Sequence, residues 1–174
     1  MILAVPYLNA DSLLGDLGHT VDGKILIDAT NPANPADPAS VLDGSSAAEH
    51  IQARVPAARV VKAFNTAFAT RLADPLVDGI ATDSFVAGDD RTAKATVLDL
   101  VGSIGFRPID AGPLVMARAL EAMALVNITL QIRTHGAWQA GWKLFEPSAL
   151  QGVAPSSGSA PTRRAARGLL VGSY

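Results

Sequence analysis

The chain reads as an α/β fold, a doubly wound and mostly parallel sheet with helices on both faces. Three observations predict it. Five short aliphatic runs are apolar on both faces: Ile2 to Val5, Lys24 to Ala29, Arg59 to Ala63, Asp83 to Ala87 and Phe106 to Asp110. Strands buried on two sides have this pattern. Longer stretches of helical period alternate with them, near Asn9 to Leu17, Ser46 to Val55, Asp90 to Ile104 and Leu114 to His135. Such alternation folds into layers through right-handed crossovers. Finally, 174 residues that are 49% apolar suffice for one sizeable core.

Taken in order, the first run leads straight into Val5-Pro6-Tyr7, so the sequence opens inside a core element. No G-x-G-x-x-G turn is present; Gly102-Ser103-Ile104-Gly105 lacks the spacing and follows a helix. The chain therefore reads as the second half of a nucleotide-binding domain, truncated at its N-terminus, with an unpaired strand edge. Asn31 to Gly44 holds four proline or glycine residues and is expected to be a loop. Ser46-Ala47-Ala48-Glu49 has capping-box form, with Glu49 expected to reach back to the Ser46 backbone N–H. Asp89 or Asp90 caps the next helix, and Gly105 ends it.

The run from Leu114 is apolar nearly all round, which marks a central core helix or a subunit interface; an isologous homodimer is the expectation. Met116 and Met123 are read as packing groups, and Trp138 and Trp142 as closing the core. Beyond Pro147 the composition turns to Ser, Ala, Pro and Arg without periodicity, and residues 148–174 read as a disordered tail. Its cluster of Arg163, Arg164 and Arg167 reads as solvated, with a docking or nucleic-acid arm as the alternative. The expected organisation is 1–113 as a partial nucleotide-binding domain, 114–147 as a helical substrate and dimerisation segment, and 148–174 as tail.

Composition argues against several classes. A formal net charge of −2 with no basic patch gives no footprint for nucleic acid. There is no cysteine, hence no disulfide or thiolate chemistry. The opening lacks a basic n-region and is too short to span a membrane, so a cytoplasmic protein is expected. His19, His50 and His135 lack metal-ligand spacing, and no catalytic triad or carboxylate pair is evident. No metal and no catalytic acid or base is assigned.

Ligands of doubly wound sheets sit outside the carboxyl ends of the strands. Three ends are unusual here: Ala4-Val5-Pro6-Tyr7, Asp28-Ala29-Thr30-Asn31-Pro32 and Lys62-Ala63-Phe64-Asn65-Thr66. Small and proline residues let a planar ring approach the backbone. Asn31, Asn65 and Thr66 offer uncharged groups that can orient a carboxamide. A fourth end, Asp110-Ala111-Gly112-Pro113-Leu114, is expected in the same groove, with Gly112 allowing close approach and Pro113 suiting a first helical turn. Arg118 either pairs with Glu121 three residues on or faces the cleft.

These segments in this order resemble the NADPH-dependent coenzyme F420 reductases and their NADP-binding relatives. The resemblance runs from Ile2-Leu3-Ala4-Val5-Pro6-Tyr7 through Ile27-Asp28-Ala29-Thr30-Asn31-Pro32 and Val60-Val61-Lys62-Ala63-Phe64-Asn65-Thr66. It continues in Val86-Ala87-Gly88-Asp89-Asp90, Gly105-Phe106-Arg107-Pro108 and Asp110-Ala111-Gly112-Pro113-Leu114, with Arg118, Leu120 and Glu121 following. It covers about residues 1–146. It implies a Rossmann-like domain that holds NADP(H), and a helical part that shapes a cleft for a deazaflavin (coenzyme F420) or a flavin. It further implies cofactor contacts at Val5, Pro6, Asn31, Pro32, Ala63, Phe64 and Asn65, and second-ring contacts at Gly112, Pro113, Leu114 and Arg118. Hydride transfer between stacked rings rests on positioning and needs no protein acid or base. Two other readings stand beside this one: a non-catalytic remnant that serves as a dimerisation or interaction module, and a nucleotide-sensing domain.

Overall fold

The computed structural model describes residues 1–32 and 44–145. Residues 33–43 and the expected tail lie outside them. Met1–Leu144 form one compact unit, so the segment from Leu114 packs with the sheet rather than apart from it.

Among the described residues, seven strands and five α-helices follow one another: β1 (Ile2–Leu3), α1 (Ala10–Leu17), β2 (Ile25–Asp28), α2 (Ala47–Arg54), β3 (Arg59–Lys62), α3 (Ala69–Ala73), β4 (Leu76–Val77), β5 (Ile80–Ala81), β6 (Asp83–Gly88), α4 (Arg91–Ser103), β7 (Arg107–Gly112) and α5 (Ala117–Thr134). All five strands read from the aliphatic runs are present. The short helix α3 and the β4–β5 hairpin are additions. Asp78 and Gly79 both have positive φ, 50° and 76°, in the two-residue turn that joins this hairpin.

The main sheet has the order β1-β2-β3-β6-β7. β1, β2 and β3 are mutually parallel, and β6 is parallel to β7, but β6 meets β3 antiparallel. The expected parallel run is thus reversed once. Helices cover both faces. Leu3, Leu26 and Val60 face α1, α2 and the start of α5, among Leu14, Ile51, Leu114 and Ala117. The alternate residues Ile27, Val61 and Val86 face Ala93, Val97 and Val101 of α4 on the other side.

Local chemistry explains the helix ends. Asp90 caps α4 by accepting from Ala93 N at 2.7 Å, and Gly105 follows that helix at φ 96°. Ser46 caps α2 by accepting from Glu49 N at 3.2 Å. The Glu49 carboxylate departs from the expected box: it accepts from the Ser46 hydroxyl at 2.7 Å and from Arg118. The free N–H groups of Ala47 and Ala48 go instead to Glu121, at 3.1 and 3.4 Å. Helix α5 buries Ala117, Leu120, Glu121, Ala124, Leu125 and Asn127 and leaves Val126, Leu130 and Ile132 about half exposed. The two tryptophans lie away from the core centre. Trp138 is exposed and packs edge-on to Phe68 at 5.3 Å, and the Trp142 carbonyl accepts from Asp83 N at 2.8 Å.

Candidate functional site at the carboxyl edge of three strands

The parallel register aligns the first three strand ends. Leu3 pairs with Asp28, and Asp28 with Lys62. Pro6, Asn31 and Asn65 each stand three residues beyond that row, which puts them on the same edge of the sheet. Pro6 is exposed; Val5, Asn31 and Pro32 are half-buried; Ala63, Phe64 and Asn65 are buried beneath them. Phe64 has φ 66°, a left-handed conformation unusual for a bulky residue and often held in place at functional sites. An apolar recess of 310 Å³ opens at the same strand ends, lined by Ile2, Ala4, Ala29, Phe64, Leu72, Leu100 and Ile104.

Asn31 and Asn65 form a pair whose orientations are fixed by main-chain carbonyls. Asn65 Nδ2 donates to Leu120 O and to Asn31 Oδ1, both at 3.0 Å. Asn31 Nδ2 donates to Asn65 O at 2.9 Å. A carbonyl only accepts, so neither amide can be turned over. Among the described residues, one N–H and one lone-pair direction of the half-buried Asn31 amide have no partner after these bonds. Below it, Thr30 Oγ1, Asn65 Oδ1 and Thr66 Oγ1 are shut off from solvent with no hydrogen-bond partner among the described residues.

Beneath the pair lies a buried ionic cluster. Lys62 Nζ donates to Asp28 Oδ2 at 2.9 Å, Glu121 Oε1 at 2.8 Å and Thr30 O at 2.6 Å. Lys62 and Asp28 are wholly buried, and Glu121 is 3% exposed. Asp28 Oδ1 also accepts from Thr30 N at 2.8 Å. The start of α2 supplies N–H groups to Glu121, where a helix N-terminus favours a carboxylate. Tyr7, next to Pro6, hydrogen-bonds His50 Nδ1 at 3.0 Å. Burial, then the charges of Asp11, Glu121 and Asp28, push the Tyr7 phenol above its ordinary range, so it stays neutral.

The fourth predicted end does not join this edge. Gly112 pairs with Ala87, and Ala87 with Lys62 across the antiparallel junction. β7 therefore runs opposite to β3: Gly112 lies level with Lys62, and the chain beyond it, from Pro113, heads away from Asn65. Leu114 is buried in the core, with its N–H on Asp89 Oδ1 at 2.8 Å. Pro113, Leu114 and Asp89 line a separate cavity of 530 Å³ with Glu49, Gln52, Ala53, Pro56 and Val115. Gly112, Pro113 and Leu114 are thus apart from Pro6, Asn31 and Asn65. Arg118 does not pair with Glu121. It forks onto Glu49 at 2.6 and 2.8 Å, and that hydrogen bond holds the Glu49 carboxyl below its usual range.

Sequence reasoning gave Lys62 no role of its own and offered Glu121 only as a partner for Arg118. The signal was available: each is a charged residue inside an otherwise apolar segment, Val60-Val61-Lys62-Ala63 and Leu120-Glu121-Ala122-Met123. Residues of that kind are rarely buried without partners.

A mostly parallel α/β sheet covered by helices on both faces is a Rossmann-like fold. No protein-family model matches the chain. A solved structure described as an F420-dependent NADP reductase from Arthrobacter sp. FB24 superposes with a TM-score of 0.73 at 31% identity, covering 83% of this chain and 69% of that one. The F420-dependent NADP reductase of Methanocaldococcus jannaschii is 34% identical over 140 residues, 76% of this chain and 62% of the relative. Rat metalloreductase STEAP3 is 37% identical over 114 residues, 66% of this chain and 22% of the relative. The chain belongs to the family of F420-dependent NADP reductases. It spans less than two thirds of the length of these curated relatives.

Proposed function

We propose that the carboxyl edge of β1, β2 and β3 holds the nicotinamide end of NADP(H), and that the protein serves hydride transfer between that ring and a deazaflavin, coenzyme F420, or a flavin. One observation carries this reading. The register brings Pro6, Asn31 and Asn65 into one row, and the fixed Asn31 amide keeps one donor and one acceptor without a partner among the described residues. A carboxamide offers the complementary pair.

NADP(H), when bound, supplies or accepts the hydride. The chain's own residues position it. Val5, Pro6 and Pro32 present small or rigid surfaces against which a flat ring lies, and Ala63 and Phe64 close the floor. Nothing at this edge has to donate or take a proton, which fits transfer governed by distance and exclusion of water. Sequence similarity to F420-dependent NADP reductases supports the deazaflavin as acceptor. Gly112, Pro113, Leu114 and Arg118 stand outside the row of Pro6, Asn31 and Asn65. The apolar stripe of α5 supports a homodimer. Helix 114–134 has the length and composition of a membrane span, but its buried Glu121 and Asn127 sit inside the domain, which supports a soluble protein.

The test is a thermal melt of the full chain with NADPH and with 2′-phospho-ADP-ribose, which lacks the nicotinamide. NADPH should raise the melting temperature in a saturable way, by the equivalent of about 2.7 kcal/mol at a hundredfold excess over Kd. The ringless analogue should raise it less, and added coenzyme F420 or flavin should then discharge the NADPH signal. Equal shifts from the two ligands, or none from either, would remove the ring site.

A further inference from the structure

We propose that Lys62 is a positioning residue for the ring: its buried ammonium holds the Asn31–Asn65 pair in the geometry that leaves one donor and one acceptor free. The inference rests on the reading of this edge as the nicotinamide site.

Burying an ammonium is unfavourable, and apolar residues of similar volume often replace buried ion pairs without loss of stability. Val60 and Val61 show that the same strand packs with aliphatic side chains. What Lys62 adds is three directed donors on one atom. Each goes to a different partner: the Asp28 carboxylate, the Thr30 carbonyl and the Glu121 carboxylate. Two of these partners are neighbours of the amide pair's own anchors. Thr30 precedes Asn31 in the chain. Glu121 follows Leu120, whose carbonyl takes Asn65 Nδ2.

One atom therefore ties together the backbone before Asn31 and the helical turn that grips Asn65. Glu121 is held from its other side by Ala47 N and Ala48 N, so the turn is fixed at both carboxylate oxygens. Lys62 has no solvent exposure and cannot touch a ligand in the groove. Its effect passes through Asn31 and Asn65, which makes it a positioning and not a catalytic residue.

The experiment compares four forms of the full chain labelled with nitrogen-15. They are the unsubstituted protein, K62M, the charge-balanced D28N/K62M/E121Q, and V60A. K62M removes the donors but strands two carboxylates. The triple variant removes the stranded charges and keeps polar groups, so it stays informative if K62M fails to fold. V60A loosens the same strand without touching the cluster and controls for general destabilisation. The side-chain NH2 signals of Asn31 and Asn65 are followed first. They should move, and exchange with solvent about tenfold faster, in K62M and the triple variant but not in V60A.

The second readout is the ratio of affinities for NADPH and its 3-acetylpyridine analogue, whose acetyl group accepts but cannot donate. That ratio should fall by about tenfold in the triple variant, the worth of roughly one hydrogen bond, and hold in V60A. Unmoved amide signals in a folded triple variant overturn the positioning role. So does an unchanged ratio when the unsubstituted protein itself discriminates. Failure of the unsubstituted protein to bind NADPH overturns the ring site and with it the role of Lys62 there, and is distinguished by that one measurement.

Discussion

Asn31 is half-buried, and its neighbours fix which way its amide points. Replacing it by alanine removes a donor and an acceptor from the ring while leaving the backbone free to stay in place. N31A should therefore weaken NADPH binding by about tenfold and also lower the melting temperature, because Asn65 O and Nδ2 each lose a partner, as read by fluorescence titration and calorimetry. N65A should cost more stability still, since its amide also holds the Leu120 carbonyl. Both asparagines were legible as polar strand ends next to small or proline residues. Lys62, Asp28 and Glu121 were not read as a cluster, because sequence separations of 34 and 59 residues hide contacts that only the packing of α5 on β3 creates. K62M alone should destabilise the fold by about 3–5 kcal/mol in urea titrations, since it leaves two carboxylates buried without a counter-charge. Adding D28N and E121Q should recover most of that loss; no recovery would mean that Lys62 acts through packing alone.

At the scale of elements, aliphatic runs and capping residues gave the five main strands and four of the helices almost to the residue. Strand direction was not legible. β6 has the same two-sided apolar pattern as β3, and that pattern reports burial, not polarity of the chain. The reversal follows from the short α3 and hairpin between β3 and β6, which replace the long helix a parallel return requires. It is also why the chain beyond Gly112 heads away from Asn65. The hairpin itself carried a readable signal in Asp78-Gly79, but its two-residue strands are too short to show alternation. Substituting Gly79 tests the turn: a side chain there meets no neighbour within 4 Å, so the loss in G79A, about 1 kcal/mol, reports the positive φ alone. D90A should lose a similar amount by removing the cap on Ala93 N. Urea midpoints measure both, and unchanged midpoints would show that neither device stabilises the domain.

Across the whole molecule, two features set its behaviour in solution. The first is the clamp on Asp83. Burial raises the affinity of this carboxylate for a proton, but Arg107, the Leu144 N–H and Lys143 together bring its pKa below the ordinary 3.8. The unfolded chain therefore takes up the proton first as pH falls. The stabilisation is complete above the unfolded value and disappears as pH drops through the lower folded value. D83N should be less stable than the parent at pH 7, with the gap closing in acid; a gap that persists at pH 2 would place its origin in packing. The second feature is α5. Val126 and Leu130 lie one turn apart and about half exposed on a helix that packs its other face on the sheet. An exposed apolar stripe of this kind is self-complementary about a two-fold axis, so two copies can cover it without new polar partners. A lasting dimer needs about 1,000 Å² of buried surface or more, which requires most of the exposed length of α5. Light scattering should then give twice the chain mass at micromolar concentration. V126E/L130E should give a monomer with unchanged circular dichroism and unchanged affinity for NADPH, because neither residue belongs to the carboxyl edge. A monomeric parent protein across the accessible concentration range would leave the stripe without this partner.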